Sequence, residues 1–237
     1  ADGAAAGVVV GADEQTSGRG RRGHTWQSPP GAGVYFSWLC RPPLDASSLS
    51  LVTLAAGVGV HRGVRQATGL STALKWPNDV LVGGRKLAGI LAEGCSLGSP
   101  SQAVIIGVGI NLRRAVYSPD VAVRATSLEA ELGWPPDRGQ LLVETLCGLV
   151  DAVAEVQRDR DGILRAWREA SASAVGARVE WTSETGLRQG TTAGIDESGA
   201  LLIQTPDRLE RVVAGEVRWL PGVIEPANSE PRTANTE

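Results

Sequence analysis

The sequence predicts an α+β chain that ends in a small β-barrel. Three observations carry that reading. Runs of strand composition alternate with helical segments up to about residue 175. Two short apolar runs are separated by Gly83-Gly84, a dipeptide suited to a two-residue hairpin. From Ala177 to Leu220 the chain breaks into short β runs with turns between them, about forty residues in all, the scale of a small barrel.

The elements follow in order. Val8-Val9-Val10 reads as a short buried strand, and Glu14 to Gly33 as a loop rich in Gly, Ser, Pro and Arg. Val34 to Cys40 has strand composition and is ended by Pro42-Pro43. Ser47 or Ser48 is placed to cap a helix that runs to Thr68, with Gly69 as its stop. Lys75-Trp76 is extended because Pro77 pushes its predecessor out of the α basin. Val80-Leu81-Val82 and Leu87 to Ala92 form the hairpin, and Ala103 to Asn111 a further strand. Thr126 to Leu132 is a short helix; Asp137 caps a long one to about Arg158; Asp161 starts another. Arg178 to Trp181, Gly190 to Ile195, Ala200 to Gln204, Leu209 to Val213 and Glu216 to Leu220 are the barrel strands, with a turn at Asp196-Glu197-Ser198-Gly199. Residues 222–237 read as a disordered tail.

Composition narrows the function classes. The net charge of −3 over 237 residues argues against a general polyanion binder. No apolar run approaches the length of a membrane span, and Ala1 to Gly7 has no signal-peptide pattern. Cys40, Cys95 and Cys147 are scattered free thiols with no metal-binding spacing, so no metal site is expected. His24 and His61 need no catalytic role.

Two segments carry the chemistry. Gly18-Arg19-Gly20-Arg21-Arg22-Gly23 formally matches GxGxxG, but His24-Thr25-Trp26-Gln27-Ser28-Pro29-Pro30 cannot open the helix that a dinucleotide fold requires. Glycines instead let backbone N–H groups approach an anion, and the arginines add bidentate donors. Because these arginines repel one another, the empty loop should be mobile and an anion should order it. A nucleic-acid-binding Arg-Gly patch stays open at this point, although only one unit is present. The second segment is Lys75-Trp76-Pro77-Asn78-Asp79 followed by Lys86-Leu87-Ala88-Gly89-Ile90-Leu91. A period of two places Lys86, Ala88 and Ile90 on one face and Leu87, Gly89 and Leu91 on the other. Ala88 and Gly89 leave room for a flat ligand. Gly107, Gly109 and Asn111 repeat the theme of removed side chains ending in a polar amide.

Glu14 to Gly18 leading into the Arg-Gly loop and Trp26, Tyr35-Phe36-Ser37, Lys75 to Asp79, Lys86 to Glu93 and Gly107 to Asn111, in this order, resemble the biotin protein ligase family. The resemblance is strong over residues 8–112 and architectural beyond. It implies a mixed β-sheet flanked by helices, followed by a small SH3-like β-barrel: residues 1–175 catalytic, 176–221 barrel. It implies an enzyme that activates biotin with ATP as biotinyl-5′-AMP, with Mg2+ entering on the nucleotide, and transfers it to a lysine of a biotin carboxyl carrier protein. Lys86 and Arg21 are the implied catalytic groups. Gln15, Arg19, Gly20, Arg21 and Lys86 would line the biotin and adenylate site, with Trp26, Lys75, Asn78, Asp79, Gly89, Gly109 and Asn111 around it. The family's Ser-Thr-Asn stretch, which helps hold biotin, is expected upstream of Ala1, so the first part of the catalytic domain is expected to be missing. A cytoplasmic protein, with a homodimer as a possible assembly and neither DNA nor membrane as partner, completes the expectation. A lipoate-type acyl ligase and a non-catalytic binding module using the Arg-Gly loop are the alternatives.

Overall fold

The computed structural model describes residues 4–42, 49–97, 99, 102–115, 117–183 and 186–220. The cap expected at Ser47 or Ser48 and the tail 222–237 lie outside them. Strands β1 (Val9–Ala12), β2 (Gly33–Cys40), β3 (Ala73–Lys75), β4 (Asp79–Val82), β5 (Arg85–Cys95) and β6 (Ala103–Asn111) form one sheet in the order β1-β2-β6-β5-β4-β3. Its ladders are antiparallel. Its parallel component, among the described residues, is an isolated bridge between Lys86 and Ala125.

The helices are α1 (Leu49–Thr68), α2 (Pro119–Ala122), α3 (Leu128–Leu132), α4 (Arg138–Arg158) and α5 (Arg160–Glu169). Alternation along β2 and β6 sends Val34, Phe36, Trp38, Val104, Ile106, Val108 and Ile110 into one core with Leu51, Leu54 and Val58 of α1. Behind that layer α1 and α4 touch backbone to backbone: a Cβ on Gly59 would lie 2.6 Å from the Cα of Leu149. The helices therefore claim one face of the sheet and leave the other open.

The Asp137 carboxylate accepts from the Gln140 N–H at 2.6 Å and starts α4 as expected. Three readings are corrected. The strand at Val8 to Val10 begins at Val9 and is an exposed edge, with Val10 63% exposed. A valine run reports β-propensity as much as burial. Helix α5 is capped by Asp159, whose carboxylate accepts from Gly162 N–H at 2.8 Å, two residues before the expected start at Asp161.

The third correction concerns β5. Its partner register steps from Val80↔Ala88 to Leu81↔Lys86, so Leu87 is an extra residue, a β-bulge. The bulge inverts the alternation. Lys86 leaves the face of Ala88 and Ile90 and lies over Gly89, its Cε and Nζ 3.2 and 3.3 Å from where a Cβ on Gly89 would be.

A second sheet contains β7 (Val175–Ser183), β8 (Gly186–Ile195), β9 (Leu201–Gln204), β10 (Leu209–Val212) and β11 (Val217–Trp219), ordered β10-β9-β8-β7-β11. Five short antiparallel strands suit an SH3-like barrel. The Asp196 carboxylate accepts from the N–H groups of Ser198 (2.8 Å) and Ala200 (3.0 Å) and shapes the β8–β9 turn. The barrel is tied to the first sheet through Trp76, a buried side chain whose Nε1–H donates to Gly199 O at 3.0 Å.

Candidate active site

The open face of the first sheet carries one row of register partners. Tyr35 of β2 pairs with Gly109 of β6, Gly109 with Gly89 of β5, Gly89 with Asp79 of β4 and Asp79 with Lys75 of β3. The middle of this row has no side chains, and its far end is charged. The Trp26 indole lies in the trough. A Cβ on Gly109 would be 2.6 Å from its Cε2 and Nε1, and one on Gly89 would be 3.1 Å from its Cζ3. The buried Nε1–H of Trp26 has no hydrogen-bond partner in the structure, a donor left over that a ligand could satisfy.

Lys86 runs along the trough to Asp79, Nζ to Oδ1 2.5 Å, and its ammonium is 5.5 Å from the centre of the Trp26 ring. The backbone of Lys86 is clamped on both sides. Its N–H donates to Arg124 O at 2.7 Å, and its carbonyl accepts from Thr126 N–H at 2.9 Å. The buried Asn111 donates Nδ2–H to Thr126 O (2.9 Å) and to Lys86 O (3.4 Å). Asn78 donates Nδ2–H to Ile90 O at 2.7 Å, and its own carbonyl accepts from Ile90 N–H at 3.0 Å. These two amides hold the walls of the site by bonding to backbone.

The Arg-Gly loop closes on itself. Gly20 N–H donates to His24 O at 2.6 Å, and Trp26 N–H to Gly18 O at 2.9 Å. Arg22 and Gly23 turn it through positive φ of 53° and 80°. The arginines are sent apart. Arg19 pairs with Glu93 at 3.1 Å on the surface, a contact worth at most about 1 kcal/mol. Arg22 reaches toward Gly215 in the β10–β11 connection, and Glu216 beside it is 3.7 Å from His24 Nε2. Arg21 is half-buried. Burial presses its guanidinium below the usual range, Arg22 pushes the same way, and Asp79 opposes. Gln15 is exposed, its Oε1 accepting from Ser28 Oγ at 3.3 Å.

Lys75 lies with its ammonium 4.6 Å from the centre of the Trp219 ring. Burial lowers its pKa most; Asp79 raises it; Lys86 and Arg124 lower it further. Arg21, Lys75 and Lys86 thus share the neighbourhood of one carboxylate, Asp79. A surplus of partly desolvated cations next to an apolar trough suits a ligand with a flat body and an anionic group.

The structure brings Trp26, Lys75, Asp79, Lys86, Gly89 and Gly109 together on one face, with Arg21 beside Asp79. Gln15, Arg19 and Gly20 sit in the loop that carries Trp26. Sequence reasoning missed the Arg124–Thr126 clamp, Glu93 and Trp219. Glu93 was accessible in principle, because Gly89, Leu91 and Glu93 share a face by strand alternation. The other two depend on contacts between distant segments.

Two known families match this sequence: the Biotin/lipoate A/B protein ligase family over residues 2–111 and the Biotin protein ligase C terminal domain over residues 176–218. The biotin--[acetyl-CoA-carboxylase] ligase of Paracoccus denitrificans is 35% identical over 216 residues, 87% of this chain and 88% of that protein. The bifunctional ligase/repressor BirA of Bacillus subtilis is 31% identical over 213 residues, 89% of this chain. The chain spans 66% of the length of that relative. A biotin protein ligase from Aquifex aeolicus, solved in complex with biotin and ATP, superposes with a TM-score of 0.79 at 28% identity, over 92% of this chain and 90% of that one.

Proposed function

The chain belongs to the biotin protein ligase family, and from that premise we propose that it activates biotin with ATP as biotinyl-5′-AMP and transfers it to a lysine of a biotin carboxyl carrier protein. The observation that carries the reading is the glycine trough at Gly89 and Gly109 that ends on Lys86 and Asp79. A flat bicyclic ring fits a strip of sheet without side chains, and its carboxylate would meet the cations at the end.

In the first step a biotin carboxylate oxygen attacks the α-phosphorus of ATP and pyrophosphate leaves. An anion must approach a polyanion. Two like charges 4 Å apart repel by about 1 kcal/mol in water and about 4 kcal/mol at an effective dielectric of 20. Lys86 and Arg21 are assigned to offset that repulsion as charge develops on the transferring group. Lys75 and Arg19 add positive potential around them. In the second step the carrier lysine attacks the acyl carbon and AMP departs. The substrate carboxylate is itself the nucleophile of the first step, so no Ser-His-Asp or Cys-His set is required. The trough is occupied by Trp26, so this side chain moves aside, or turns its face to the ligand, as the ligand enters. Asp79 is the carboxylate in the row and would be a contact for Mg2+ carried in by the nucleotide phosphates.

The site residues above, the catalytic and barrel domains at 1–175 and 176–221, and action in the cytoplasm on carrier proteins are parts of the same proposal. No helix among the described residues is long and apolar enough to cross a membrane. The test is ATP–pyrophosphate exchange with biotin, with lipoate, or with neither. Exchange that requires biotin and is not supported by lipoate is the expected result. Exchange with lipoate would favour the other branch of the fold, and none with either acid would overturn the reading.

A further inference from the structure

The barrel does more at this site than lie beside it. Two consecutive residues, the last of β3 and the first of the β3–β4 turn, dock on it: Lys75 through its ammonium, 4.6 Å from the centre of the Trp219 ring, and Trp76 through its Nε1–H to Gly199 O at 3.0 Å. The preceding residue is fixed as well, since Leu74 N–H donates to Ala170 O at 2.7 Å. Trp219 ends β11, where it pairs with Val179 of β7. Its Nε1–H is buried without a partner, so no hydrogen bond accounts for the placement of the ring. What the ring offers Lys75 is its electron-rich face, at a distance well inside the range of cation–π attraction.

The placement matters because Lys75 and Asp79 are register partners, while Asp79 is bonded to Lys86. A Lys75 ammonium released from the ring would lie next to a carboxylate it can take from Lys86. Held on the ring, it leaves Asp79 to Lys86. The charged groups facing Lys75 are Asp79, Lys86 and Arg124, so its position is set by one attraction, two repulsions and the ring.

We propose that Trp219 of the C-terminal barrel is a positioning residue for nucleotide binding: its face holds the Lys75 ammonium toward the phosphates and away from Asp79, keeping the Asp79–Lys86 pair intact. The proposal rests on the ligase reading above. It assigns the barrel a direct part in assembling the cation set.

The test replaces Trp219 by tryptophans carrying one to four ring fluorines, which keep the shape of the side chain and progressively empty the face of the ring. Biotin-dependent ATP–pyrophosphate exchange is measured at each step. The expected result is a graded rise in the KM for ATP, reaching roughly 2- to 30-fold for the fully fluorinated ring, with the KM for biotin little changed. Trp219→Phe, whose ring face is weaker than that of indole, should fall early in the series, and Trp219→Leu should resemble the most fluorinated ring. In a Lys75→Ala background the fluorine series should be flat, because the two changes remove the same interaction. An ATP KM that does not respond to fluorine, or a fluorine effect undiminished by Lys75→Ala, would overturn the proposal even if Trp219→Leu fails to fold. Wild-type protein with no biotin-dependent exchange would instead bring down the ligase reading, and the proposal with it.

Discussion

Replacing Gly109 by alanine adds one carbon atom at the most crowded point of the trough. Gly109 does not have a positive φ, so the backbone accepts alanine and the consequence is steric. The new Cβ would lie 2.6 Å from Cε2 and Nε1 of Trp26, and ordinary contact begins at 3.4 Å, so the indole must retreat by 0.8 Å (3.4 − 2.6). Overpacking of that kind costs about 1–3 kcal/mol when the neighbour stays in place. In a chain of this size that corresponds to a fall in Tm of about 2–4 °C per kcal/mol. If the indole leaves the trough instead, the cost appears in the loop that carries it. Gly107, two residues earlier on the same face, is the internal control: a Cβ there meets nothing nearer than Leu91 O at 3.7 Å. Gly107→Ala should stay within about 0.5 kcal/mol of wild type. Thermal unfolding of the two variants, paired with biotin-dependent pyrophosphate exchange, decides the matter. Gly109→Ala should lose stability, exchange activity, or both, while Gly107→Ala keeps them. Equal behaviour of the two variants would refute the packing of Trp26 on Gly109 and the trough with it.

Other outcomes follow from the same geometry. Lys86→Ala breaks a partly exposed ion pair, so its loss of stability should be at most about 1 kcal/mol, while adenylate formation should slow about 30- to 1000-fold; a folded variant with normal exchange would remove Lys86 from the chemistry. An arginine-specific protease should cut at Arg19 to Arg22 more slowly once biotin and ATP saturate the protein, and an unchanged cleavage rate would count against ligand capture by the loop. Burial raises the Tyr35 phenol to about 12 from the ordinary 10. The folded state therefore keeps a proton that the unfolded state loses, and stability should fall as pH rises from 10 toward 12. Tyr35→Phe should flatten that alkaline slope in denaturant titrations; a slope unchanged by the substitution would reassign it.

Features set by neighbouring residues were legible in the sequence. Gly83 and Gly84 mark the hairpin because both adopt positive φ, 53° and 72°. Asp137 marks the start of α4 because its carboxylate needs only a backbone N–H three residues on. The glycines at 89 and 109 and the lysines at 75 and 86 were legible as a set of unusual residues on strands. What failed to show was whatever depends on a partner strand or a distant segment. Lys86 was assigned to the wrong face because the bulge at Leu87 exists only in its pairing with β4. Asn111 stands out as a polar amide ending a glycine strand, but that its N–H bonds to Thr126 O, fifteen residues on, depends on a distant segment. Nothing near Trp219 in the sequence announces Lys75. The valines at 8–10 show the reverse error, a composition that suits a buried strand placed at an exposed edge.

The bulge at Leu87 makes the direction of Lys86 a question of parity. A strand has two sides, and each residue taken into or left out of the ladder between a fixed register point and a side chain exchanges them. Ala88 is fixed against Val80. Deleting Leu87 would straighten the strand with Lys86 still opposite Leu81 and its ammonium on the open face, whereas an unbulged ladder that pairs Leu87 with Leu81 would leave every side chain of the site in the chain and aim the ammonium at the apolar layer under α1. Substitution surveys alter identity and leave the ladder untouched, so they pass over this constraint, whereas a scan of single-residue deletions and insertions along β5 would expose it, with the deletion of Leu87 keeping the direction of Lys86. The parity of the ladder between Lys86 and Gly89 is itself part of the site, as much as the ammonium group or the missing Cβ.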